Sequence, residues 1–254
     1  MIICISSSLV NANFFMIKIV RSFSLMASIR SNLSAIKEEI ARVGNCDHVR
    51  LVAVSKTKPA ADIEVAYEAG QRVFGENYIN ELVEKSHSLT HLSEIKWHFI
   101  GNLQKKNCPK LTTCKNLSVV ETVDSEKVAR ALNNGWKKNG DGSPLTVFIQ
   151  VNTSKEAQKS GCMPEETVKL AEFIISECDV LTLKGVMTIG AFGYDWSQGD
   201  NPDFVELLRC HKELSEHLSQ DLEISMGMSD DFSKAIEMGS TNVRVGSKIF
   251  GARN

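Results

Sequence analysis

A lysine at the end of a short apolar run is the first residue in this chain whose type and position could do chemistry. In "RLVAVSKTKP", residues 50–59, the apolar run is short enough for a buried strand, and Ser55 and Lys56 follow it before a turn set by Pro59. Lysine is rarely fully buried without a partner. An amine whose pKa is depressed by burial attacks carbonyl carbon to form a Schiff base. Lys56 is therefore a candidate nucleophile, and the alternative is a strand-end lysine whose amine reaches water.

Two glycine- and serine-containing segments could hold a phosphate. One is "SMGMSDDF", with Ser229, and the other is "VRVGS", with Gly246 and Ser247. Glycine lets backbone N–H groups approach an anion, and a helix N-terminus adds unpaired donors. The alternative for Ser229 is a plain helix cap, since serine and aspartate are good caps. Together with Lys56, these segments predict a ligand that carries both an aldehyde and a phosphate.

Three further polar residues fall at or inside predicted strands. Asn77 follows one strand in "FGEN", His98 lies in "WHFIGNLQ", and Arg244 lies inside the last strand. Asn77 could cap the next helix, and His98 could be a core or rim histidine bonded to a neighbour. Arg244 is harder to explain as structure alone, because a charge pointing into a barrel needs an acceptor.

The elements that must position these residues alternate between short apolar runs and helical patterns. Strands are predicted at 50–55, 72–74, 96–100, 117–121, 145–151, 182–187, 222–226 and 242–246. Helices are predicted at 60–69, 78–86, 102–111, 125–134, 164–178, 202–219 and 231–238. About eight strand–helix units favour a single α/β (β/α)8 TIM-type barrel, with a doubly wound open sheet as the alternative. In a barrel, the strand ends and the loops that follow them form the functional face.

The N-terminal region contains an additional helix and an unusual leader. Ile29, Leu33, Ile36, Ile40 and Val43 share one helical face, which predicts a helix before the first strand. Residues 1–27 contain no acidic residue and place their basic residues late, unlike a secretory signal. We expect residues 1–27 to be an extension that is disordered or removed, and 28–254 to be the barrel. A cytoplasmic location is expected, with a mitochondrial presequence as the alternative.

Composition excludes several functional classes. The 254 residues are 43% hydrophobic, and 29 basic against 31 acidic residues give a formal net charge of -2. So balanced a chain predicts neither a nucleic-acid nor a membrane partner, because both need a basic field. The seven cysteines form no CxxC pair, so we expect reduced thiols and no metal site.

Several motifs in order resemble the family of pyridoxal phosphate homeostasis proteins, in particular its eukaryotic branch. They are "AVSKTKP", "FGENYINEL", "WHFIGNLQKKN", "NTSKEAQKSG", "GVMTIG", "SMGMSDDF" and "GSTNVRVGSKIFG". The resemblance runs from about residue 29 to the end of the chain. Lys248 departs from the pattern, because a small residue is usual at that position.

The resemblance implies a barrel of the pyridoxal 5'-phosphate (PLP) fold type III, related to the N-terminal domain of alanine racemase. It implies that Lys56 holds PLP as a Schiff base, that Arg244 faces the pyridine nitrogen, and that the phosphate and the rest of the cofactor contact Ser229, Gly246, Ser247, Asn77, His98 and Thr188. It implies a protein that buffers or supplies PLP without a defined catalytic turnover, with apo PLP-dependent enzymes as recipients. We expect a monomer, and we expect Lys248 to strengthen phosphate binding electrostatically.

Two enzymes remain as alternatives. A PLP-dependent amino acid racemase needs a second, β-rich domain to close the site, and the chain ends at Asn254, soon after the last motif. An arginine against the pyridine nitrogen also weakens the ring as an electron sink, although racemases of this fold share that feature. A lysine-dependent aldolase barrel without PLP would need an acid–base partner near Lys56, for which His98 is the visible candidate.

Overall fold

The computed structural model describes residues 26–44, 49–156, 159–191 and 193–252, which form a closed barrel of eight parallel strands. Each strand pairs with the next along the chain, and the last pairs with the first. Strands β1 to β8 are Arg50–Val54, Val73–Glu76, Lys96–Phe99, Leu117–Val123, Leu145–Gln150, Leu181–Met187, Glu223–Met228 and Asn242–Val245. The closed order excludes the open doubly wound sheet.

Helices cover the outside of the barrel. Helix α1 occupies 26–43. Helices α2 to α9 are Ala60–Glu68, Ile79–Ser88, Cys108–Leu111, Glu126–Asn139, Thr167–Glu177, Pro202–Leu218, Phe232–Glu237 and Ser247–Phe250, and 3-10 turns occupy Lys105–Asn107, Pro164–Glu166 and Trp196–Gln198. Pro59 precedes α2 and Gly70, at φ +84°, follows it, as expected for a helix with proline at its start and glycine past its end.

Apolar side chains pack on both sides of the strands. The main core lies between strands and helices, with Phe74, Trp97 and Phe204 fully buried. Inside the barrel, Val119, Phe148 and Met187 form a separate small cluster. Polar side chains, among them Glu121, Ser225 and Arg244, fill other positions inside the barrel.

The predicted N-terminal helix is confirmed, and its apolar face is buried from Ile29 to Ile40. Asn32 Nδ2 donates to the carbonyl oxygen of Ile249 (3.2 Å), and Arg30 pairs with Glu68 (2.6 Å). Helix α1 therefore packs beside the seam where β1 meets β8. The predicted extension lies almost wholly outside the described residues, so the boundary near residue 27 stays a prediction.

Several helices differ from the expectation, and α4 and α9 differ most. The single helix predicted over 102–111 is a 3-10 turn followed by the four-residue α4, because Pro109 in α4 lacks an N–H and restricts the residue before it. Helix α9 was not predicted, since four residues are too few to show a helical period. Among the described residues, no helix is long and apolar enough to cross a membrane.

Candidate binding site at the carboxyl end of the barrel

Six of the eight residues singled out from the sequence line one cleft at the carboxyl end of the barrel. The cleft has a volume of about 250 Å³. The six residues are Lys56, Asn77, Ser229, Arg244, Gly246 and Ser247. They come from the ends of β1, β2, β7 and β8. The pairing of β8 with β1 closes the barrel and brings the first two strands beside the last two.

Lys56 lies half-buried in a tight turn that neighbouring elements hold in place. The N–H of Lys58 donates to the carbonyl oxygen of Ser55 (3.0 Å), and Thr57 adopts a left-handed φ of +64°. That conformation is costly for a β-branched residue. The Thr57 N–H donates to Glu81 Oε1 (2.7 Å), so the carboxylate of α3 fixes the turn that presents Lys56.

A buried ion cluster supports this turn from behind. Lys85 Nζ donates to Glu76 Oε1 (2.7 Å), to Glu81 Oε1 (2.6 Å) and to the Ser55 carbonyl oxygen (2.8 Å). Ser55 Oγ donates to the same Glu76 oxygen (2.7 Å). Burial raises the pKa of Glu76 to about 7, against the lowering effect of Lys85. Neither Glu76 nor Lys85 was singled out from the sequence.

Ser229 and Gly246 form a cradle that joins two loops. Ser229 Oγ accepts a hydrogen bond from the Gly246 N–H (3.1 Å), so this serine links the β7 loop to the β8 loop instead of capping its own helix. A Cβ on Gly246 would lie 3.1 Å from the Val54 carbonyl oxygen, which explains why glycine fits there. The helices that follow are only six and four residues long, so the hydroxyls and the glycine backbone are the features suited to an anion.

Arg244 has the acceptors that a charge inside a barrel requires. Its NH1 donates to Ser225 Oγ (2.5 Å), its NH2 donates to the Thr188 carbonyl oxygen (2.7 Å), and Glu121 Oε2 lies 4.0 Å from NH1. Burial lowers the pKa of Arg244, while Glu121 and Asp231 act in the opposite direction. The guanidinium is thus fixed with one side toward the cleft.

Glu121 is the centre of this interior network and was missed from the sequence. Its carboxylate contacts His98 Nδ1 (2.6 Å), Ser225 Oγ (2.6 Å) and Asn242 Nδ2 (2.9 Å). Burial alone would raise the pKa of Glu121, but His98, Arg244 and Ser225 together lower it to about 2. A glutamate inside the apolar run "VVETV" was the available signal, by the same reasoning that singled out Arg244.

His98 and Thr188 do not line the cleft itself. His98 is 2% exposed and lies beneath the cleft against Glu121. Thr188 lines a neighbouring cleft and bonds to Thr153 Oγ1 (2.9 Å), which in turn donates to Asp203 (2.8 Å). His98 bonds to Glu121, and the Thr188 carbonyl oxygen accepts a hydrogen bond from Arg244, so both residues contact groups that hold Arg244 in place. Their predicted contacts with a cofactor stay predictions.

The position of Asn77 excludes the helix-cap explanation. Tyr78 is the N-cap residue of α3, and its side chain makes no capping hydrogen bond. Asn77 Oδ1 is buried and accepts no hydrogen bond within the described part of the chain. Buried polar atoms are normally paired, so an orphaned acceptor at the edge of a cleft fits a donor from a bound molecule.

Two other lysines near the cleft differ in placement. Lys58 lines the cleft and its Nζ donates to the Ala252 carbonyl oxygen (2.7 Å). Lys248 is exposed and places its Nζ 5.1 Å from the centre of the Phe232 ring, without lining the cleft. Lys58 was not singled out from the sequence, although it stands two residues after Lys56.

The five cysteines within the described residues are reduced and buried, and burial raises the pKa of Cys114 and Cys162 to about 12. Thiols with such pKa values are poor nucleophiles at neutral pH. No cluster of metal-ligand side chains occurs among the residues that the structure describes.

This chain is similar in sequence to several known proteins. The sequence model of the "Alanine racemase, N-terminal domain" matches residues 26–254. The pyridoxal phosphate homeostasis protein of Mus musculus is 54% identical over 211 residues, which cover 81% of this chain and 77% of the mouse protein. The protein of that name from Caenorhabditis elegans is 46% identical, over 89% of this chain and 95% of its own length.

Solved structures of related proteins have a similar fold. PipY of Synechococcus elongatus with PLP bound is 30% identical and superposes with a TM-score of 0.75, over 88% of this chain and all of PipY. Alanine racemase of Corynebacterium glutamicum is 15% identical with a TM-score of 0.67, over 89% of this chain and 61% of the racemase. The second match shows a shared fold alone.

Proposed function

Because this chain belongs to the pyridoxal phosphate homeostasis proteins, a family built on the alanine racemase N-terminal barrel, we propose that it holds PLP in the cleft at the carboxyl end of its barrel and buffers or supplies the cofactor in the cell. The observation that carries this proposal is the placement of a lysine amine and a serine–glycine cradle in one cleft. PLP presents an aldehyde and a phosphate on one ring, which match these two groups. PLP supplies an electrophilic aldehyde carbon that condenses with amines.

The residues of the cleft divide the work of binding. Lys56 supplies the amine that holds the cofactor as a Schiff base. Ser229, Ser247 and the Gly246 backbone hold the phosphate, and the buried guanidinium of Arg244 faces the pyridine nitrogen. Asn77 Oδ1 offers an acceptor to a donor on the cofactor.

The Glu81–Lys85 contacts support Lys56 in this role. They fix Thr57 in its left-handed conformation, and so they set the direction in which the adjacent lysine leaves the strand. A lysine on a fixed turn loses less conformational entropy when it forms a bond than a lysine on a mobile loop does.

Borohydride reduction of the purified chain after incubation with PLP tests the proposal. We expect a yellow protein and a reduced pyridoxyl group on Lys56 by peptide mass spectrometry. Lys56→Ala should lose the visible band, whereas Lys58→Ala, a lysine from the same cleft, should keep the adduct on Lys56. A colourless wild type, or an adduct confined to Lys58, would contradict the assignment.

We propose further that the bound cofactor is stored and passed to apo PLP-dependent enzymes without catalytic turnover on an amino acid. The names of the relatives at 54% and 46% identity support this role. Exchange of the α-proton of alanine with deuterated solvent, followed by NMR, separates this role from a racemase. Exchange that depends on Lys56 and rises well above the rate with free PLP would establish an enzyme instead.

We propose a cytoplasmic monomer. The large apolar side chains exposed within the described residues, among them Ile175 on α6 and Val205 on α7, are scattered over different elements. Light scattering on the purified chain tests the monomer, and a fluorescent fusion that keeps residues 1–27 free tests the compartment against mitochondria.

A further inference from the structure

The near-zero net charge of the chain conceals one strongly basic surface. Residues 102–120 and 127–140 carry eight of the 29 lysines and arginines and none of the 31 aspartates and glutamates. The rest of the chain is therefore clearly acidic. The first segment includes "LQKKN", a motif that the cofactor cleft does not use.

The two segments meet in a groove between α4 and α5, which we call the lysine groove. It has a volume of about 720 Å³, and the exposed Lys105, Lys106 and Lys138 line it together. Its other side chains are short or uncharged and include Pro109, Ala131 and Gly135. Gly135 allows α5 to pack closely against the end of α4, because a Cβ at this position would lie 2.9 Å from Thr112 Oγ1.

The groove lysines differ from two other cations of α5, Arg130 and Lys137. Lys137 pairs with Asp179 (2.7 Å) and Arg130 lies 3.8 Å from Glu177, so those two point toward acidic residues near α6. Within the described part of the chain, no ion pair involves Lys105, Lys106 or Lys138. Three like charges without a neutralising partner raise the local positive potential and attract anionic partners.

We propose that the lysine groove docks an acidic segment of a partner protein. The groove offers ammonium groups alone, with neither an arginine fork nor an aromatic side chain in its lining. Single-stranded nucleic acid stacks its bases on aromatic side chains, which the groove lacks, so a carboxylate-rich protein segment is the better match. Solvated lysines at the rim of an interface raise the association rate more than they lengthen the lifetime of the complex. This property suits a short-lived complex.

This inference rests on the proposed function for one point only, which is the reason for the chain to have a protein partner. A protein that passes its cofactor on must meet the receiver near the mouth. Ile100 and Asn102, which line the clefts at the mouth, lead directly into the turn that carries Lys105 and Lys106. An acidic segment in the lysine groove would therefore contact the stretch of chain that leads away from the mouth.

Titration of the full chain with a fluorescent octaglutamate peptide tests the proposal. The triple variant K105Q/K106Q/K138Q removes the groove charges, and K169Q/K212Q/K234Q removes three exposed lysines from α6, α7 and α8 as a control of equal charge. We expect the groove variant to bind the peptide at least tenfold more weakly at 50 mM salt, and the control less than twofold. Wild-type affinity should fall steeply as salt rises.

Four outcomes would overturn the proposal. They are equal losses in both variants, no binding of the peptide by the wild type, tighter groove-dependent binding of a single-stranded RNA octamer, and a groove-dependent dimer in light scattering. Visible spectra of the same samples report PLP separately, so a wild type without the PLP band would defeat the proposed function while leaving the peptide result readable.

Discussion

The imidazole Nδ1 of His98 lies 2.6 Å from the carboxylate Oε1 of Glu121, with both side chains buried inside the barrel. The same carboxylate bonds Ser225 and Asn242 and faces Arg244. One acidic side chain therefore organises the interior below the cleft. The guanidinium at the cleft owes its fixed position to this arrangement.

Glu121→Gln should destabilise the protein by about 3–5 kcal/mol, because it leaves Arg244 buried without its charged partner. Urea unfolding at pH 7 measures the loss. Glu172→Gln, which alters an exposed glutamate paired with His217, serves as the control and should cost less than about 1 kcal/mol. Similar losses in the two variants would show that the buried charge is dispensable.

The same glutamate should shape stability in acid. Its folded pKa of about 2 lies below the usual 4.5, so its contribution to stability is complete above pH 4.5 and is lost as the pH falls toward 2. The Gln variant should lack this part of the acid dependence. Parallel curves for wild type and variant between pH 5 and pH 2 would contradict the assigned pKa.

Glu76 should have the opposite pH dependence. Burial raises its pKa to about 7, so its contribution to stability is present below pH 4.5 and declines as the pH rises through 7. As the pH rises from 4.5 to 7.5, the free energy of unfolding of Glu76→Gln should increase by about 3 kcal/mol relative to that of the wild type. Thermal or urea unfolding across this range measures the gain. A constant difference between the two proteins would mean that Glu76 is ionised throughout.

Gly227→Ala should damage both stability and cofactor binding. Gly227 has φ +92°, and a Cβ there would lie 2.5 Å from the Ala235 Cβ. Left-handed strain and the clash together should cost about 2–4 kcal/mol, and displacement of the β7 loop should weaken PLP binding through Ser229. Gly193→Ala, at φ +74° with open space around it, isolates the strain and should cost about 1 kcal/mol. Equal losses of stability in Gly227→Ala and Gly193→Ala would show that the clash with Ala235 does not contribute.

Lys248→Ala tests the expectation that this lysine strengthens phosphate binding. The side chain is exposed over Phe232, so its effect should be a screened field and not a contact. We expect PLP affinity to fall about two- to threefold at low salt and to be unchanged at high salt. Affinities that match the wild type at both salt concentrations would refute the expectation.

The sequence was sufficient to predict the barrel, because strand runs and helix punctuation are local. It also pointed to Arg244, since a charge inside an apolar strand must find an acceptor. The same reasoning could have identified Glu121. It could not have shown that Lys85 supports the Lys56 turn, because an amphipathic helix carries several lysines and only the packed structure shows which one is buried. Nor could it have paired Ser229 with Gly246 across two loops.

The pairing of β1 with β8 has a consequence for the order in which the protein can be made. Lys56 and its turn leave the ribosome well before Ser229 and Gly246, which form the cradle. Helix α1 meets α9 across 217 positions of the chain. Such distant contacts form late, so a nascent chain carries the reactive lysine through most of its synthesis without the groups that surround it in the finished barrel. A chain that stops anywhere between residues 57 and 228 would have the amine and no phosphate cradle.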